Sequence, residues 1–154
     1  MNLLEHFVLQ HLQPTLLRCE VLKMSMESGK QEAKVELSLA PHMVKTDSGD
    51  ALPAYQVTAR LSCRSGAAGT DEPVFKAQVG FEAVYQQMSG DPVDIAEFTA
   101  NHASLTRQLY PLLQQELRVL MNRVGLEQIR LPFDLAAQVS SPGHATVQVS
   151  GAVH

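Results

Sequence analysis

The stretch Phe75-Lys76-Ala77-Gln78-Val79-Gly80-Phe81-Glu82-Ala83-Val84-Tyr85 sets the fold class, because its apolar residues fall on every second position. A period of two sends successive side chains to opposite faces, so the segment is expected to be a long strand, covered on one face and wet on the other. Working upstream, Tyr55, Val57, Ala59, Leu61 and Cys63 alternate with Gln56, Thr58, Arg60, Ser62 and Arg64 in the same way. Ala33, Val35, Leu37 and Leu39 alternate with Lys34, Glu36 and Ser38. An earlier apolar segment, about Leu16 to Met26, makes a fourth expected strand. Gly29, Gly49 and Ser65-Gly66-Ala67-Ala68-Gly69 fall between these runs, where turns are expected. Four strands joined in succession imply an antiparallel meander.

Downstream the period changes. Asp91 can cap a helix, Pro92 suits a first helical position, and Asp94 falls in the first turn. Ile95, Phe98, His102, Leu105, Leu109 and Leu112 then recur at spacings of three and four, which makes an apolar helical seam. Pro111 lacks an N–H, so a kink or two abutting helices are expected there. Leu113, Leu117, Leu120, Met121 and Val124 continue the pattern to Gly125, a natural stop. Leu131-Pro132-Phe133-Asp134-Leu135 is expected to open a short last helix, and the small, polar tail from Ser140 to be loose. The expected class is α+β: a four-stranded antiparallel sheet, a long kinked helix and a short C-terminal helix, which in the family named below pack on one face of the sheet.

Length and composition bound the function. A chain of 154 residues, 45% hydrophobic, suits one domain. The net charge of −4, with 12 scattered Lys and Arg, gives little support to a nucleic-acid partner. No apolar run reaches the roughly 18 residues needed to cross a bilayer. Met1-Asn2-Leu3-Leu4-Glu5-His6 lacks the positive start of a signal peptide, so a cytoplasmic location is expected.

Chemistry-bearing patterns are few. Gly66 and Gly69 lack the Lys-Ser or Lys-Thr of a phosphate loop, and there is no Gly-x-Ser-x-Gly elbow. The six histidines show no metal-ligand spacing, and no cofactor is expected. His102 lies on the helical seam, where a hydrogen-bonded packing histidine competes with a ligand. Asp91, Asp94 and Glu97 admit an acid–base reading, but a helix's first turn accounts for them as well. Cys19 and Cys63 form no disulfide framework and are expected as buried thiols, against a redox or metal role. The balance favours a binding module over an enzyme.

Residues 75–135 resemble the SecB export chaperones. The strand Val74-Phe75-Lys76-Ala77-Gln78-Val79 leads to Phe81 and Tyr85. Leu109-Tyr110-Pro111 stands where that family has an aromatic-Pro pair, Arg123-Val124-Gly125 where it ends its long helix, and Leu131-Pro132-Phe133-Asp134 where it opens its last one. Met24-Ser25-Met26-Glu27 is similar to the end of its first strand, and Ala33 to Leu39 to its second. The likeness spans 14–139, leaving 1–13 as an N-terminal extension and 140–154 as a flexible tail. Leu3, Leu4, Phe7, Val8 and Leu12 in the extension have helical spacing, either as a packing element or as a client-mimicking segment.

The resemblance implies an ATP-independent holding chaperone for unfolded polypeptides, assembled as a homotetramer, a dimer of dimers. It implies a client groove lined by Val35, Leu37 and Leu39 from the sheet and by Phe133, Leu135 and Val139 near the last helix. Met24, Met26 and Met121 are expected to add adaptable contacts. Ordinary core packing is the competing reading for Val35 and Leu37. Surplus apolar helix surface, with Ile95, Phe98, His102, Leu105 and Leu109, is expected at the oligomer interface; otherwise it thickens a monomer core. In SecB the outer face of the sheet carries acids that dock the translocase motor SecA. The matching positions here are Lys23, Glu27, Lys76 and Gln78, so only Glu27 keeps the sign and SecA docking is disfavoured. Three readings follow: a general chaperone, with or without a part in export; a chaperone dedicated to one client such as an antitoxin; and an assembly protein with one fixed partner.

Overall fold

The computed structural model describes residues 2–22, 33–44, 52–65, 75–126, 131, 136–139 and 147–153. Alternating sequence becomes four long strands: β1 (Phe7–Val21), β2 (Ala33–Val44), β3 (Ala54–Ser65) and β4 (Phe75–Gln87). A single helical turn, α1 (Leu3–His6), precedes them; α2 (Ile95–Ala100) and α3 (His102–Arg123) follow. Two short strands, β5 (Ala136–Val139) and β6 (Val147–Val153), complete an antiparallel sheet of order β1-β4-β3-β2-β6-β5.

Register fixes which face is buried. Tyr55 opposes Tyr85, Ala59 opposes Phe81, Leu61 opposes Val79 and Cys63 opposes Ala77. Leu37 opposes Leu61 in turn. All of these are buried, while the intervening Lys34, Glu36, Arg60, Arg64 and Lys76 are exposed. Against the apolar face lie Phe98 of α2 and Leu105, Leu109, Leu113, Leu117 and Met121 of α3. The spacing of four along α3 keeps one stripe on the sheet. At the α2 end, Phe98 stacks on Tyr55 at 4.5 Å between ring centroids and meets Phe7 at 5.2 Å and Tyr85 at 5.9 Å. Such pairs add to area burial by roughly 0.5–1.5 kcal/mol each.

Several expectations change. The sheet is not a meander: β2, β3 and β4 follow in order, but β1 returns beside β4 as in a Greek key. Alternation tells which face a strand buries, not which neighbour it takes. The Leu3–Leu12 pattern, helical by spacing, gives helix only over Leu3–His6; from Phe7 the chain is β1. Thus 7–13, set apart as an extension, belongs to the sheet, with Phe7 only 3% exposed. Register shifts between Leu9 and His11 and between Pro14 and Leu16 mark two bulges. They change the side-chain parity and so disguise the strand in the sequence. Pro14 is tolerated because β1 is an edge.

Pro111 does not divide the helix. The division falls at Asn101, whose backbone N–H bonds Phe98 O and whose Nδ2 donates to Glu97 O at 2.8 Å. Pro111 sits exposed inside the 22-residue α3, beside solvent that can hydrate the freed carbonyl. The seam also steps from Leu109 to the fully buried Leu113, leaving Leu112 36% exposed. The short helix expected at 131–135 falls largely on 132–135, outside the described residues; the short helix of the fold is α2, and 136–139 is strand. The tail read as loose supplies β6, paired to β2 from Ala33↔Val153 to Leu39↔Val147. Small residues such as Gly151 and Ala152 carry little strand propensity, but a sheet edge satisfies their backbone groups whatever the side chain.

Candidate functional site

The strands and helices sort the expected site residues into three groups. Val35, Leu37 and Leu39 are wholly buried and Met121 is 1% exposed, so these four are core and do not line an open groove. The sheet–helix sandwich closes over them because Val35, Leu37 and Leu39 lie on the face of the sheet that α2 and α3 cover, and Met121 lies on the stripe of α3 packed against it. Phe133 and Leu135 lie outside the described residues, as do Met24 and Met26; Val139 is placed by its backbone in β5. Of the expected oligomer contacts, Phe98, Leu105 and Leu109 are likewise sealed against the sheet, at 1% exposure or less. Ile95 and His102 remain half-buried. On the outer face, Lys76 is exposed and Gln78 half-buried; Lys23 and Glu27 lie outside the described residues.

The possible chemical groups are structural where they are described. Asp94 caps α2, its carboxylate accepting the Glu97 N–H at 2.8 Å. Asp91 and Glu97 are exposed. Cys63 is buried, and burial, helped by the nearby Cys19, pushes its thiol up to about 12. Burial and Glu20 also raise Cys19. A thiol held protonated is a poor nucleophile. Among the described residues no three His, Cys, Asp or Glu side chains gather as a metal site, and no helix is long and apolar enough to cross a membrane.

What remains open is a set of strand edges bordered by apolar side chains. Among the described residues β1 is a 15-residue edge strand paired only with β4. Register places Leu12, Leu17, Cys19 and Val21 opposite Ala83, Val79, Ala77 and Phe75, all of them buried. These four therefore point to the helix-covered face. Leu12, Cys19 and Val21 are half-buried there, and Leu17 is 52% exposed. Among the described residues β6 pairs β2 over Ala33–Leu39, and Ala40–Val44 pair with β3. Met43, opposite the buried Tyr55, is 66% exposed at that margin. On α3, Leu112 and Val119 stand one above the other, seven residues apart, 36% and 43% exposed. Sequence reasoning missed the β1 margin because the bulges broke its alternation. Its one legible signal is the leucine content of Leu9, Leu12, Leu16 and Leu17.

A strand edge beside exposed apolar side chains can add an extended peptide as a further strand, with backbone bonds for affinity and side-chain contacts for selection. Neither a protein-family model nor a curated protein sequence matches this chain. Among solved structures, the chain is similar to the Mycobacterium tuberculosis Rv1957 SecB-like chaperone, solved in complex with a ChAD peptide from the Rv1956 HigA1 antitoxin. The match has a TM-score of 0.60 at 20% identity and covers 86% of this chain and 93% of that one. The fold is therefore SecB-like.

Proposed function

We propose that this protein is a holding chaperone that binds non-native polypeptide as extended segments, without nucleotide. The observation that carries the reading is the 15-residue β1 edge, with a margin of half-open apolar side chains in a SecB-like fold. Client backbone pairs with the edge, and client Leu, Val or Phe side chains settle against Leu12, Leu17 and Val21. Each such side chain gains roughly 1.5–3 kcal/mol on burial. Several weak sites on one oligomer then hold a long chain through effective concentration. The assembly proposed is a homotetramer, with Leu112 and Val119 of α3 as its apolar contact. Neither SecA nor nucleic acid is a proposed partner.

Suppression of aggregation by a chemically unfolded model protein tests this reading. Light scattering should fall at a stoichiometric ratio of the assembly, with or without ATP. Undiminished aggregation at excess assembly overturns it. A second reading, a single dedicated client, draws support from the antitoxin peptide bound by the similar chaperone. High affinity for one peptide, with no protection of generic unfolded chains, selects it over the first.

A further inference from the structure

We infer that the outer face of the sheet is a second docking surface, for an acidic helical segment of another protein. This inference is independent of the client reading, because it concerns the face away from α2 and α3. Register brings Lys34 of β2, Arg64 of β3 and Lys76 of β4 side by side: Lys34 opposes Arg64 and Arg64 opposes Lys76. All three are exposed. Like charges directly opposed across strands destabilise a sheet, so folding does not account for the row. No ion pair joins these three to an acid among the described residues. Glu20, opposite Lys76, is engaged by Arg18 at 2.9 Å and 3.2 Å. Glu36 lies two residues along from Lys34 and opposes Ser62.

The geometry selects the partner. Adjacent strands stand about 4.8 Å apart, so the three cations span about 10 Å. A helix rises about 1.5 Å per residue, so carboxylates at i, i+4 and i+7 recur after about 6 and 10 Å. Laid across the strands, an acidic helix face meets each cation in turn. A nucleic acid fits less well. The outer-face residues of β2, β3 and β4 include no Phe, Tyr or Trp for base stacking, and their one ring is the imidazole of His42, eight residues along β2 from Lys34. On the outer face of β2, β3 and β4 the cations Lys34, Arg60, Arg64 and Lys76 outnumber the acids Glu36 and Glu82, and the row of three steers an acidic protein segment to it.

The test uses the full chain and an acetylated, alanine-based helical peptide with Glu at i, i+4 and i+7. Fluorescence anisotropy should show binding at 50 mM NaCl that weakens at least fivefold at 300 mM. The triple variant Lys34→Gln/Arg64→Gln/Lys76→Gln should lose tenfold or more in affinity, at a melting temperature no lower than the parent's. Should that variant fail to fold, Lys76→Gln alone should lose about threefold. Equal binding by the triple variant overturns the inference. So does equal binding of a lysine-bearing peptide or of a scrambled peptide of the same composition. Tighter binding of a twelve-residue oligothymidylate or of phosphatidylserine vesicles overturns it as well.

Discussion

At Gln87 a single side chain closes the turn between sheet and helices. It is 2% exposed; its Nε2 donates to the Ser89 and Asp91 carbonyls at 2.9 and 2.6 Å, and its Oε1 accepts the Val93 N–H at 3.0 Å. Gln87→Leu keeps the bulk but leaves these backbone groups without a partner. Urea denaturation should show a loss of about 2–3 kcal/mol. Gly80 acts by lacking a side chain: a Cβ there would stand 3.2 Å from Leu16 Cβ, so β1 approaches β4 closely at its second bulge. Cys63 links burial to pH. Its thiol, near 9 when unfolded, is pushed up to about 12 in the fold, so the unfolded state releases the proton first. Stability from this group is complete below about pH 9 and is lost as pH rises toward 12, by up to roughly 1.4 kcal/mol per pH unit. Cys63→Ala should flatten that part of the alkaline stability curve, even though the cavity lowers stability at neutral pH.

At the scale of elements, the long helix is continuous where a break was expected. The i−4 partner of Pro111 would be the carbonyl of Arg107, itself an exposed residue. Pro111→Ala restores that hydrogen bond and removes the ring clash. It should raise stability by about 1 kcal/mol or more, read as a higher melting temperature with unchanged helical circular dichroism. β1 is the element on which the proposed function rests. Leu17→Glu and Met43→Glu change exposed positions, so melting should shift little. If client segments lie along these margins, affinity for an unfolded client should fall about tenfold for Leu17→Glu, measured by anisotropy with a labelled reduced protein. Unchanged affinity would place the client elsewhere.

For the whole molecule, the two faces of the sheet carry different surfaces. One is sealed by α2 and α3, with apolar margins at its strand edges; the other is open, with the basic row of Lys34, Arg64 and Lys76. Multi-angle light scattering should give four times the 16.9 kDa chain mass. Leu112→Glu together with Val119→Glu should reduce that assembly, because burying two carboxylates at an apolar contact costs several kcal/mol. A persistent tetramer in this double variant would move the interface off α3.

By itself the sequence determined the class of the fold: period-two runs from Ala33 to Leu39, Tyr55 to Cys63 and Phe75 to Tyr85, then a helical seam through Phe98, Leu105 and Leu109. Side-chain periodicity is a local property, and it fixes which face of each element is covered. Only the tertiary structure decided that β1 lies beside β4, that 147–153 pairs with β2, and that Val35, Leu37 and Leu39 are core. Strand neighbours depend on contacts between residues far apart in the chain, and the same alternation is compatible with several orders. The basic row is the sharpest case. Lys34, Arg64 and Lys76 are scattered in sequence, and only the register of three strands brings their charges into one line.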